Sequence, residues 1–161
     1  MEKINLEELA KFLVKAKVNT YATIDKMKIT PERLGFDELE YKEGDFYYRD
    51  SYCGFFQAPG MEIVRFKGNP IWTLAYSGGM LEGLQEDVKY ANQVFTFLKD
   101  ALKNVPVEIP FRGPENFTND EWKYINKVEG NIVRFIGKEK ILHQGREVFS
   151  QDYIGGIVIE K

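Results

Sequence analysis

The sequence is poor in the residues that most often carry chemistry. Of its 161 residues only Cys53 is a cysteine and only His143 is a histidine. One thiol excludes an internal disulfide and any zinc site built from several cysteines of a single chain. A nucleophilic Cys53–His143 pair is disfavoured, because the two fall on separate predicted hairpins. No apolar run is long enough to span a bilayer, so no membrane partner is expected. An excess of positive charge is also missing. The 22 Lys+Arg face 25 Asp+Glu, for a net charge of −3, and the basic residues are scattered, which argues against direct nucleic-acid binding. The opening MEKINLEELAK has neither an apolar segment nor a small-residue cleavage site, so no secretory signal is read and a cytoplasmic location is expected. The motifs G-x-G-x-x-G after a strand, G-x-x-x-x-G-K-(S/T), H-E-x-x-H and G-x-S-x-G are absent. The cofactor therefore stays unknown, and no metal is assigned.

What is present is ordinary globular material, 43% hydrophobic and 29% charged, of a length that one domain over residues 1–161 accommodates. Asn5 with Glu8 has capping-box spacing, and Leu6, Leu9, Phe12, Leu13 and Ala16 share a helical face, predicting a helix over Leu6–Lys17. The polar stretch Val18–Gly35 reads as a loop. Short aromatic and β-branched runs follow at Glu38–Lys42, Asp45–Cys53, Met61–Lys67 and Ile71–Ser77, an antiparallel meander. Val88, Ala91, Phe95, Leu98, Leu102 and Val105 step by helical spacing and predict a second helix over Glu86–Asn104. IPFRGPENFTND reads as a loop. Strands are then expected at Trp122–Val128, Asn131–Ile136, Lys140–His143 and Glu147–Tyr153, with a last one at Ile157–Glu160.

GMEIVRFKGNPIWTLAYSGG and GKEKILHQGREVFSQDYIGG share the frame G-x-E-x5-G-x3-(W/F)-x3-Y-x-G-G. Gly60/Gly137, Glu62/Glu139, Gly68/Gly145, Tyr76/Tyr153, Gly78/Gly155 and Gly79/Gly156 match at one constant offset. Upstream, Glu43-Gly44-Asp45 is aligned with Glu129-Gly130-Asn131 and Phe12 with Phe97, at larger offsets that imply an insertion around CGFFQAPG in the first half. The expected fold class is α+β: duplicated units of a helix plus an antiparallel meander, over about 5–80 and 86–157, forming a curved sheet packed on two helices.

Two residue groupings invite a site. Two-residue loops at Gly68-Asn69 and Gly145-Arg146 would place Glu62 opposite Ala75, Val64 opposite Thr73, His143 opposite Val148 and Glu139 opposite Asp152. Facing carboxylates repel unless solvated, protonated or sharing a cation, so Glu139, Asp152 and nearby His143 form one candidate, against a plain solvent-facing surface or another register. In DFYYRDSY, strand alternation puts Phe46, Tyr48, Asp50 and Tyr52 on one face. An aspartate among aromatic rings could hold a ligand, or could simply be hydrogen-bonded to Arg49, Arg112 or backbone. Trp72, Tyr76 and Tyr153 carry the same two readings, cavity or core. Arg112, between residues that restrict the backbone, could reach an anion or one of these carboxylates.

FLVKAKVNTYA, LEYKEGDFYYRDSYCGFF, GNPIWTLAYSGG, PFRGP and QDYIGG together resemble the uncharacterised prokaryotic family known as domain of unknown function 5680. The resemblance covers nearly the whole chain. Members of that family often follow an Xre-type helix-turn-helix module; only one helix is predicted before the first strand here, so no such module is expected and the resemblance implies effector sensing rather than DNA reading. Three functions follow as expectations. The first is a small-molecule binding or sensing domain, stand-alone or serving a separate transcription regulator, with Tyr48, Asp50, Tyr52, Trp72, Tyr76, Arg112 and Tyr153 around the ligand. The second is a hydrolase or isomerase using Asp50, Glu62, Glu139 or Asp152 as acid or base. The third is a homodimeric interaction module.

Overall fold

The structure is a computed structural model that describes residues 5–22 and 28–159. Helix α1 (Leu6–Ala22) is followed by β1 (Lys28–Ile29), β2 (Asp37–Glu43), β3 (Phe46–Tyr52), β4 (Gly60–Phe66) and β5 (Asn69–Met80). Helix α2 (Val88–Leu102) then leads to β6 (Asn116–Asn119), β7 (Trp122–Asn131), β8 (Arg134–His143) and β9 (Arg146–Ile157). The strands form one nine-stranded sheet in the order β1-β2-β3-β4-β5-β9-β8-β7-β6. Every neighbouring pair is antiparallel. Two meanders thus meet along β5 and β9, where Tyr76 lies opposite Tyr153. The architecture is α+β, two helices on one antiparallel sheet.

Both helices cover the same face. α1 buries Leu9, Phe12, Leu13 and Ala16 against Tyr48, Val64, Trp72 and Leu74. α2 buries Ala91, Val94, Phe97 and Leu102 against Met80, Tyr124, Ile141 and Phe149. Each such large side chain removed from water contributes roughly 1.5–3 kcal/mol, which is why the apolar stripes rather than local propensity fix the helices. The helix starts are capped: Asn5 Oδ1 accepts from the Glu7 and Glu8 backbone N–H at 3.0 and 3.3 Å, and the Asp87 side chain accepts from Tyr90 N at 2.8 Å. No helix among the described residues is long and apolar enough to cross a membrane.

Several expectations need correction. α1 continues past Lys17 to Ala22, because the polar residues beyond the apolar stripe are themselves buried: Thr20 bonds back to the Ala16 carbonyl at 2.9 Å. The middle of the expected loop Val18–Gly35 lies outside the described residues. β8 is one strand where two were expected, and β9 runs through Gly155-Gly156 instead of stopping before it. These glycines are not turns. Gly137 leaves room for the Tyr153 ring, and a Cβ on Gly155 would stand 2.3 Å from the Thr73 carbonyl oxygen.

The hairpin registers also differ from expectation. The β4–β5 turn is Lys67-Gly68 (φ 50° and 85°) and the β8–β9 turn is Gln144-Gly145 (φ 50° and 78°), both residues left-handed as in a type I′ turn. Each turn is followed by a bulge that leaves Ile71 or Val148 without a direct partner. Glu62 therefore pairs with Leu74, Val64 with Trp72, Glu139 with Gln151 and His143 with Arg146. A one-residue slip exchanges faces, so Glu139 turns inward while Asp152 points out, its side chain 73% exposed and 3.6 Å from Lys138. The grouping of Glu139, Asp152 and His143 does not form. Glu43-Gly44-Asp45 is the β2–β3 turn, whereas Glu129-Gly130-Asn131 is the end of β7, so that upstream alignment fails too.

Candidate functional site

Strand alternation brings Asp50 and Glu62, on neighbouring strands and directly paired, to the inner face, and it brings Glu139 and Gln151 there from the other meander. Burying carboxylates is costly unless each finds a cation and hydrogen-bond donors. Arg112 supplies this at the centre. The PFRGP segment is plugged into the sheet face: Phe111 stacks on Phe135 at 3.8 Å, Gly113 N donates to the Tyr124 hydroxyl at 3.1 Å, and Asn126 Nδ2 donates to the Gly113 carbonyl at 3.0 Å. So held, Arg112 bonds Glu139 through Nε at 3.0 Å and Nη2 at 2.9 Å, and its Nη1 lies 3.5 Å from Glu62. Glu139 also accepts from Tyr124 at 2.6 Å and Gln151 at 2.8 Å. Glu62 is closed on its other side by Lys17 of α1, with both side chains fully buried. Burial pulls the Lys17 ammonium down from its ordinary value, an effect that the Glu62 charge partly opposes.

Two cations and two glutamates balance, and Asp50 is the acid left over. It is 4% exposed and accepts one hydrogen bond, from the Tyr76 hydroxyl to Oδ1 at 2.8 Å; no described residue bonds its other oxygen. Burial first, then the Glu62 charge beside it, pushes its carboxyl up to about 7, against the opposing Tyr76 bond and the Arg112 and Lys17 charges. Burial likewise raises the Tyr76 phenol well above its ordinary range, with the Asp50 charge adding to it. Tyr76 therefore acts as a donor.

Above Asp50 lies a cavity of about 380 Å³. Asp50, Tyr52, Tyr76, Arg112 and Gln151 form its polar floor. Leu39, Phe55, Phe95, Leu98, Leu102 and Phe149 form apolar walls, and Asn92, Thr96 and Lys99 of α2 stand among its lining residues. The size and the mixture of apolar wall with a few convergent polar groups are those of small-molecule sites. Arg112 also stacks 5.1 Å from the Tyr76 ring centroid, fixing the floor.

Of the residues singled out in the sequence, Asp50, Tyr52, Tyr76 and Arg112 meet at the cavity. Tyr48, Trp72 and Tyr153 do not line it: the Tyr48 and Trp72 rings each sit 5.9 Å from the Lys17 ammonium, and Tyr153 donates to Asn126 at 2.7 Å within the core. Glu62 and Glu139 belong to the ion network beneath the floor. Arg49 is on the other face, bonded to Glu32 and Glu40, so it is not the partner of Asp50. Among the described residues no group of three His, Cys, Asp or Glu could hold a metal ion. Sequence reasoning missed Lys17, although its place four residues after Leu13 puts it on the apolar stripe of α1, which was the available signal. It missed Gln151 and the α2 wall as well.

The raised Asp50 carboxyl has a consequence for stability. Between 3.8, its ordinary value, and about 7 the folded protein holds a proton that the unfolded chain has released, so this group's contribution is lost as pH rises through that window. Asp50→Asn removes the penalty. Urea unfolding of D50N and wild type should show the variant's advantage growing across this window and then levelling off; an advantage that shrinks with pH would contradict the burial of an unpaired acid here.

A family model described as domain of unknown function (DUF5680) matches residues 50–158. The search of curated proteins returns no match, and neither does the search of solved structures.

Proposed function

The chain belongs to the domain of unknown function 5680 family, and from the cavity we propose that it is a small-molecule binding domain whose site is built on Asp50, Tyr52, Tyr76, Arg112 and Gln151. The observation that carries this reading is the buried Asp50, with one oxygen unbonded by the described residues, at the floor of an apolar-walled cavity of about 380 Å³. A purely structural acid would be tied up, as Glu62 and Glu139 are. Sensing of such a molecule on behalf of a separate regulator, or as a homodimer, is part of the same proposal.

The duplicated architecture is our reading of the same geometry. Gly60 lies beneath Tyr76 as Gly137 lies beneath Tyr153. Tyr76 donates to Asp50 as Tyr153 donates to Asn126. Met80 N bonds the Phe56 carbonyl as Ile157 N bonds that of Val133, and the bulge carbonyls of Ile71 and Val148 accept from Val158 and Leu81. The upstream match is then the Gly44-Asp45 turn with the Asp120-Glu121 turn. On this reading no large insertion separates the halves.

A test is a thermal-shift screen of metabolites against wild type and Thr96→Trp, which projects an indole into the cavity from an exposed helix position. Binders should raise the wild-type melting temperature and leave the variant unmoved. Stabilisation retained in T96W, or none with any compound, contradicts the site. One observation favours a second reading: an acid near neutrality beside a phenol donor suits proton transfer, as in an isomerase or hydrolase. Turnover abolished in a folded D50N would select it.

A further inference from the structure

We propose that the molecule taken up in this cavity carries a basic nitrogen on an apolar body, with the ammonium group set against the Asp50 oxygen that no described residue bonds. This rests on the small-molecule reading above and adds the charge of the ligand to it.

The first ground is the pairing of charges in the floor. Arg112 directs Nε and Nη2 to Glu139 and Nη1 to Glu62, and Lys17 closes Glu62 from α1. The Arg112 fork is thus already engaged by carboxylates and offers little to an anion. Of the cations nearer the outside, Lys28 is bonded to Asp37 at 2.7 Å and Lys99 stands on an exposed position of α2. Among the described residues that line the cavity, Asp50 is the only carboxylate. With Asp50 ionised the buried set of Lys17, Arg112, Glu62, Glu139 and Asp50 has one negative charge too many, and one entering cation balances it.

The second ground is a comparison within the molecule. Asn126, on β7, accepts a tyrosine hydroxyl from Tyr153 at 2.7 Å just as Asp50, on β3, accepts one from Tyr76 at 2.8 Å. Asn126 spends its amide on the Gly113 carbonyl and does not line this cavity. Positioning a tyrosine therefore needs only an amide oxygen. The charge at position 50 is not required by the fold, and the cavity is what distinguishes the two places.

The third ground is the wall. Tyr52, Phe55 and Phe95 present rings around the space above Asp50, and aromatic faces attract an alkylammonium while covering its apolar body. The groups facing Asp50 are Glu62 from β4, Tyr76 from β5, Arg112 from the segment after α2, Lys17 from α1 and Tyr52 from its own strand. Of these, Tyr52 is pushed up to about 12, chiefly by burial, so it stays a neutral phenol beside Asp50. Exchange of the Asp50 proton for an ammonium is then the step that couples binding to pH.

The experiment is a protein-observed NMR titration of the full chain with matched probes that differ only in head group: 2-phenylethylamine, 2-phenylethanol and phenylacetate, then the indolylethyl and hexyl members of each class. At about pH 8, where Asp50 is mostly ionised, the amines should shift cavity amides and bind at least about tenfold tighter than the alcohols. Lowering the pH to about 6 should weaken the amines and leave the alcohols unchanged. In D50N the amine preference should vanish while alcohol binding persists. Alcohols or carboxylates binding as tightly as the amines at the same residues overturn the cation and leave the cavity reading in place. If no head group on any body moves cavity resonances, both fall.

Discussion

Arg112→Met should destabilise the protein by about 3–5 kcal/mol, the loss typical of removing one partner of a buried ion pair. The guanidinium touches both halves of the sheet, Glu62 on β4 and Glu139 on β8, and both carboxylates have fully buried side chains. Methionine keeps much of the packing volume, so the effect reads charge rather than a cavity. Lys17 still answers Glu62, and the uncompensated group is Glu139 with its Tyr124 and Gln151 donors. Adding Glu139→Gln to Arg112→Met should therefore recover a large part of the loss. Denaturant midpoints of the two single variants and the double variant check this. A loss for R112M below about 1 kcal/mol, the size of an exposed pair, would mean that the network is open to water.

Gly60→Ala is the second large effect. A Cβ at this position would stand 2.4 Å from the Tyr76 hydroxyl oxygen and 2.8 Å from the Ser51 carbonyl oxygen, so the tyrosine must leave. Overpacking of this kind costs about 1–3 kcal/mol. The Tyr76 bond to Asp50 goes with it, and because that bond holds the Asp50 carboxyl down, G60A should titrate Asp50 at a higher pH than wild type. In a Tyr76→Ala background the same substitution should cost much less, with only the Ser51 contact remaining. Equal costs in the two backgrounds would show that the glycine is not reserved for the tyrosine.

The glycine–tyrosine frame was legible in the sequence, and so was the α1 face, since buried periodicity and close packing leave marks in residue type. The α2 stripe was read through Val88, Phe95 and Leu98, whereas the helix buries Ala91, Val94, Phe97, Ala101 and Leu102 and leaves Val88 exposed. Asp50, Tyr52, Tyr76 and Arg112 were legible as a group because an acid among aromatics and a backbone-restricted arginine are unusual chemistry. Register was not. Gly68 and Gly145 are the second residues of their turns, with Lys67 and Gln144 left-handed before them, and bulges at Ile71 and Val148 add a compensating step that no residue type announces. The difference between core and cavity was hidden for a related reason. Tyr48, Tyr76, Trp72 and Tyr153 all point to one sheet face, and only the placement of α1 over Tyr48 and Trp72 and of α2 to one side decides which rings are sealed in. Lys17 was readable in principle: a lysine on an apolar stripe asks for a buried carboxylate, and Glu62 provides it.

The electrostatic account stands most directly on the proton of Asp50, and carboxyl carbon NMR across pH measures it on the intact chain. The account predicts an Asp50 side-chain midpoint near 7, moving up in G60A. A midpoint at its ordinary 3.8 would contradict it, because Asp50 would then be solvated or paired, and the cavity would have lost the group on which the proposed site is built.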